Sequence, residues 1–161
     1  MAAAAAALCG CTTTDDAKCP LASALVDTAS LTPLARGLPA YTVQVNKVDA
    51  DCDISKTDHT VQSSLNIDFI AARSGAGGAA EYNVPYFVAV TLGNRIISKH
   101  LYTAHFSFDA GQTTAQFQES QDSPTIHMEK GKHPYDYAVL VGFQLTREQL
   151  EYNRTVGRYP K

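Results

Sequence analysis

Apolar residues recur at every second position along most of this chain, and that period constrains its fold more than any other feature. Tyr41, Val43 and Val45 alternate with Thr42, Gln44 and Asn46, and Leu65, Ile67 and Phe69 alternate with Asn66 and Asp68. Ile97, Leu101 with Thr103, and His105 to Phe108 continue the pattern, and Ala115 and Phe117 alternate with Gln116 and Gln118. Successive side chains of a strand point to opposite faces, so this spacing predicts strands with one face buried and one solvated. Two runs, Val84 to Leu92 and Tyr137 to Leu145, are more continuously apolar. They read as central strands covered on more of their surface, or as strands flanked by loops.

Turn signals separate the runs: Gly93-Asn94, Asp109-Ala110-Gly111, Gly131-Lys132 and the glycine-rich Ser74 to Gly78. Gly93-Asn94 is the tightest and predicts a hairpin. The runs cover about 21–34, 41–49, 60–71, 84–92, 95–108, 113–120 and 137–145. Seven strands at this spacing favour an all-β fold, an immunoglobulin-like antiparallel β-sandwich, over a closed barrel. Only the end reads as helical: Thr146-Arg147-Glu148-Gln149 has the form of a capping box, which predicts a short helical turn over 147–154.

At 161 residues the chain suits one domain, and with 18% charged residues, below the roughly 25% of an ordinary soluble domain, it can build a packed core. Its formal net charge of −3 lacks the broad positive field that grips a nucleic-acid backbone, so no nucleic-acid partner is expected. No apolar run approaches the roughly 20 residues of a membrane-spanning helix.

The N-terminus carries a different signal. Met1 is followed by six alanines, then Leu8, Cys9, Gly10 and Cys11, and a polar stretch from Thr12 to Lys18. An apolar run ending in small residues reads as the end of a secretory signal. Leu8-Cys9-Gly10-Cys11 resembles the bacterial lipobox, in which Leu stands three before a Cys that is diacylated and becomes the new N-terminus. Cys11 is the matching position, while Cys9 is an unusual occupant of the second place and no Lys or Arg precedes the run. The alternative is an alanine-rich helix with two idle thiols. On the lipobox reading, residues 1–10 are a signal-peptide remnant, 11–20 a lipidated N-terminus and tether, and 21–161 a single β-sandwich domain. The lipid on Cys11 would make the membrane a partner, and Thr12 after the Cys, rather than Asp, resembles lipoproteins that move on to the outer membrane, so the periplasmic face of the outer membrane is expected rather than the inner.

Of four cysteines, Cys9 would leave with the signal and Cys11 would carry lipid, leaving Cys19 and Cys52. In an oxidising periplasm such a pair is expected to close, tying the N-terminal segment to a turn after the second run; free thiols are the alternative. A loop of about 34 residues gives such a bridge about 3–4 kcal/mol of chain-entropy stabilisation. Two thiols alone do not make a zinc cage, and no Cys-x-x-Cys or His-x-x-x-His stands beside them.

A wider resemblance rests on Val84-Pro85-Tyr86-Phe87-Val88-Ala89-Val90 within Tyr82 to Phe108, on Val139-Leu140-Val141-Gly142-Phe143-Gln144-Leu145-Thr146, and on Tyr152-Asn153-Arg154. These segments resemble small envelope lipoproteins of alphaproteobacteria, a family with no assigned activity. The resemblance implies an envelope location and a β-rich fold, and no catalytic residue.

Catalytic and cofactor signals are weak, so no enzyme activity, cofactor or metal is expected. The histidines His59, His100, His105, His127 and His133 do not pair at the spacings that put two imidazoles on one face. His127-Met128 has the residue types of a copper carrier, but with only Met1 and Met128 the thioether set is missing. Gly-x-Ser-x-Gly is absent, and Gly75 to Gly78 has no Lys-Ser or Lys-Thr after it. Asp49, Asp51, Asp53 and Asp58 surround Cys52 but lack the Gly and distal Glu of an EF-hand, so they read as a solvated acidic turn.

Two function classes remain. The first is a lipid-anchored structural or interaction module, an accessory subunit that docks on another envelope protein. The second is a small-ligand binder or carrier, with its pocket between the sheets or under the Gly75–Gly78 loop. Tyr152, Asn153, Arg154, Arg158 and Tyr159 concentrate residue types enriched in interface hot spots and mark a candidate partner-binding stretch. Its alternative is that Tyr152 folds back over an open end of the sandwich. If Cys11 carries the lipid, protein from native membranes has the mass of a chain beginning at an acylated Cys11, and Cys11→Ala moves it to the soluble fraction. An uncut, unmodified chain beginning at Met1 contradicts this.

Overall fold

Two facing sheets are built from hairpins whose registers follow the period-two pattern. The computed structural model describes residues 18–156. Residues 1–17, with Cys9 and Cys11, and residues 157–161, with Arg158 and Tyr159, lie outside the described residues. The elements in order are β1 (Leu21–Ala24), β2 (Ser30–Leu31), β3 (Leu34–Ala35), β4 (Leu38–Pro39), β5 (Thr42–Ser55), β6 (Thr60–Ala72), β7 (Ala80–Leu92), β8 (Arg95–Phe108), β9 (Thr114–Asp122), β10 (Ile126–His127), β11 (Tyr137–Phe143) and α1 (Arg147–Val156). One sheet has the order β1-β11-β7-β8; in the other β10-β6-β5-β2 run in order, with β9 also paired to β6. β3 and β4 form a small separate hairpin. The fold is thus an all-β sandwich closed by one short C-terminal helix, as the alternation predicts.

β7 and β8 meet in a two-residue turn with Leu92 opposite Arg95, and Gly93 sits there at φ +57, a conformation in which a side chain would be strained. The two continuously apolar runs become β7 and β11, the inner strands of the four-stranded sheet. The capping box forms: the Gln149 amide donates to Thr146 Oγ1 at 3.2 Å, and the Thr146 amide donates to Gln149 Oε1 at 2.9 Å.

Three expectations are corrected. Run 21–34 is no single strand: a 3-10 turn, Val26–Thr28, divides it. Before the turn β1 lies parallel on β11, and after it β2 lies antiparallel on β5, so the segment passes from one sheet to the other. The inward parity changes at that crossing: Ala22 packs on the core while Leu21 is exposed before the turn, and Leu31 is buried after it. Run 41–49 extends to Ser55, so Cys52 lies in strand β5 and not in a turn. Asp49, Asp51 and Asp53 are the outward face of that strand, alternating with half-buried Val48, Ala50, Cys52 and Ile54; the small inward residues Ala50 and Cys52 hide the period.

The interior is filled by aromatic rings from both sheets. Phe69 of β6 stacks on Phe117 of β9 at 5.0 Å and meets Tyr86 of β7 edge-on at 5.6 Å, while Phe117 stacks on Phe106 of β8 at 4.9 Å. A smaller cluster of Val61, Val90, Ile126 and Tyr137 closes the end where Cys52, Ile54 and Met128 pack. Beside it Cys19 and Cys52 form the expected disulfide, with Cα atoms 5.7 Å apart. The bridge joins the entry to β1 in one sheet to β5 in the other, a covalent tie between layers.

Two predictions follow from this interior. Reducing the disulfide lowers stability by about 3–4 kcal/mol, read as a shift in denaturant midpoint, and neither thiol alkylates in the folded, unreduced protein; alkylation of both contradicts the bridge. The Tyr86 hydroxyl is buried between the sheets, and that burial, with Glu119 nearby, pushes its pKa up to about 12. A proton held more tightly by the folded chain gives a contribution that is complete below pH 10 and lost as pH rises through about 12. Tyr86→Phe therefore flattens the alkaline fall in stability across that window by ~1–2 kcal/mol, and an unchanged fall contradicts the assignment.

Candidate functional site

Of the β7 residues that point away from the interior, Glu81, Asn83 and Pro85 are exposed, but Phe87, Ala89 and Thr91 are buried. Register places them in rows across the sheet: Leu101, Phe87 and Gly142; Lys99, Ala89, Leu140 and Ser23; Ile96, Thr91, Ala138 and Leu21. The outer face of the four-stranded sheet is therefore largely apolar over the half nearer the β7–β8 turn, interrupted by Lys99, Ser23 and Thr91, and polar beyond it at Glu81, Asn83, Thr103 and His105.

The chain covers part of that face itself. The 3-10 turn lays Thr28 across Gly142, where a Cβ would stand 2.1 Å from Thr28 Oγ1 and 2.8 Å from the Phe87 ring, so only glycine fits. Lys99 lies over Phe87 with its ammonium 4.3 Å from the ring centre, and Nζ donates to Gln144 Oε1 at 2.7 Å. Helix α1 is tied down at the rim: Asn153 Nδ2 donates to the carbonyls of Asp27 at 3.1 Å and Ser30 at 2.7 Å, and Arg154 Nε donates to Asp27 Oδ2 at 3.1 Å.

Beyond the cover the face is open. A groove of about 530 Å³ runs between Leu25, Leu145 and Leu150 on one side and Ile96 on the other, with Phe87, Ala89 and Leu140 among its lining. At its far margin Ile96 is 66% exposed, and outside the groove, further along β8 opposite Phe87, Leu101 is 63% exposed. Both belong to β8, which pairs with β7 along one edge and, among the described residues, with no strand along the other. A 14-residue strand with a free edge offers a row of backbone donors and acceptors to another chain. An extra residue opposite Val90 and Thr91 bulges β8 near Ile97, and regular pairing resumes from Ser98 onward.

The stretch singled out in the sequence is divided by the structure. Asn153 and Arg154 turn inward to the domain's own turn, Tyr152 is half-buried, and Arg158 and Tyr159 lie outside the described residues. The Gly75–Gly78 loop is held by Arg73, whose guanidinium donates to the carbonyls of Gln112, Gly78, Gly77 and Asp109 at 2.7 to 3.3 Å and lies 4.6 Å from the Phe108 ring. The space beneath that loop is thus taken by a side chain. His105 pairs with Asn83 and His133 lies beside Asp136, and among the described residues no three His, Cys, Asp or Glu side chains come together as a metal site.

The parity expected of β8 is corrected: alternation puts Ile97, Leu101 and Thr103 among the inward positions, but the structure leaves all three exposed and buries Ala104, Phe106 and Phe108, because the bulge at Ile97 changes which positions face inward. The sequence trace of the outward set is the β7 run apolar at both parities. No family model, curated protein or solved structure matches the chain.

Proposed function

We propose that this domain is an interaction module of the bacterial envelope, a non-catalytic accessory subunit held at the periplasmic face of the outer membrane by lipid on Cys11. It docks on another envelope protein through the free edge of β8 and the apolar face beside it. The observation that carries the reading is the pairing of Ile96 and Leu101, both about two-thirds exposed, with an unpartnered strand edge. Main-chain hydrogen bonds along β8 would supply affinity and the adjoining groove would supply side-chain selection, as in strand addition generally. Burying the exposed part of each side chain is worth ~1–2 kcal/mol.

Replacing both residues by lysine tests this. In crosslinked, solubilised membranes, Ile96→Lys with Leu101→Lys lowers recovery of the partner at least about tenfold, while stability of the isolated domain changes by less than ~0.5 kcal/mol because both side chains are exposed. Gln62→Lys, on the outer face of the other sheet, leaves recovery unchanged. Equal recovery from the double variant, or an equal loss with Gln62→Lys, contradicts the assignment.

A further inference from the structure

We infer that the cavity at the β5–β6 hairpin end of the sandwich binds a small amphipathic anion, a phosphate-type head on a short apolar body. This site is separate from the β8 edge and does not depend on docking there. The cavity has a volume of about 540 Å³, within the range of small-molecule sites and too large for a bare inorganic ion. Ile54, Met128 and Pro134 give it an apolar lining, with Pro134 buried and the other two half-buried.

Its charge is the opposite of the chain's. Lys56, Lys130 and Lys132 all line the cavity, three of the six lysines among the described residues of a chain whose net charge is −3. None of the three is paired with a carboxylate among the described residues. The acidic groups nearby are engaged elsewhere. Glu129 pairs with Arg95, Asp58 Oδ2 accepts the Ser55 hydroxyl at 2.8 Å, and Asp136 Oδ2 accepts the His133 amide at 2.9 Å. Three compact ammonium groups without counter-charges suit a multiply charged head better than a single carboxylate.

The walls are fixed before any ligand arrives. The Met128 amide donates to the His59 carbonyl at 2.9 Å, joining the two loops that face each other across the cavity. The Glu129 amide donates to the Tyr137 hydroxyl at 2.8 Å, and the Lys132 amide closes a turn on the Glu129 carbonyl at 3.0 Å with Gly131 at φ +77. His59 itself occupies the left-handed region at φ 52, a position where glycine or asparagine is the low-strain choice, and the imidazole that this conformation keeps lines the cavity.

The test uses the full chain and n-octyl phosphate, followed by amide chemical shifts. Saturable shifts confined to residues 54–59 and 128–134 are expected, together with at least tenfold weaker binding when Lys56, Lys130 and Lys132 are all changed to Gln, and no saturable shift with n-octanol. The three lysines are exposed, so the variant's unchanged spectrum outside these loops establishes that it is folded. Absence of a saturable shift with octyl phosphate, or binding within twofold in the triple variant, overturns the inference. Flotation on phosphatidylglycerol vesicles, with Cys11→Ala in both the parent chain and the triple variant so that no acyl anchor contributes, then identifies the source of the head. Flotation lost in the triple variant assigns a lipid headgroup, and flotation indifferent to the lysines, with octyl phosphate binding intact in the parent chain, assigns a free anion.

Discussion

A sheet whose inner strands are apolar on both faces has to be covered twice, and this requirement organises the molecule. β7 and β11 send Val84, Tyr86, Val88, Val139, Val141 and Phe143 into the sandwich interior and turn Phe87, Ala89 and Leu140 outward. The second sheet covers the inner set with Leu65, Ile67 and Phe69. Nothing in a two-layer sandwich covers the outer set, so the chain assigns peripheral pieces to it: a 3-10 turn, the stem of Lys99, and a capped helix at the rim. Gly142 is the sharpest mark of this arrangement, because the turn that shields the face comes so close to β11 that no side chain fits.

The cover is incomplete on the β8 side, and the incompleteness has a consistent form. Charged or bulged edges commonly protect a strand from pairing with foreign chains. β8 has both devices near its hairpin end, at Arg95, Ile97 and Lys99, and then continues as an open edge with Leu101 outward. At the hairpin end the disulfide and the two hydrogen-bonded loops hold the walls of the cationic cavity, while at the opposite end Arg73 fastens the glycine-rich loop to the loop after β8. Both ends are therefore held by specific polar or covalent ties.

Much of the fold was legible because strands with one solvated face write their burial directly into the sequence. Five of the seven runs appear as strands within four residues of their expected limits, and the Thr146 capping box, the Gly93 turn and the Cys19–Cys52 bridge appear as read. The failures have physical causes. Cys52 was placed in a turn because Ala50 and Cys52 are too small to signal an inward face beside three aspartates. The first run was read as one strand because a crossing between sheets changes which parity is inward, and that change depends on partners far away in the chain. The site was harder still. Tyr152 to Arg154 have the composition of an interface, yet Asn153 and Arg154 satisfy carbonyls and a carboxylate more than 120 positions earlier. Composition reports what a side chain can bind, and only the fold decides whether its partner is internal.

The central claim is that the free edge of β8 and the face beside it are where this domain meets another protein. Hydrogen exchange compared between the isolated domain and the protein crosslinked in its native membrane measures this directly, because a strand added to β8 protects amides that otherwise exchange with solvent. The account predicts new protection concentrated in Ser98–Phe108, with β9 and the outer face of β5 unchanged. Protection that falls on β5 or β9 while β8 exchanges as freely as in the isolated domain would contradict it.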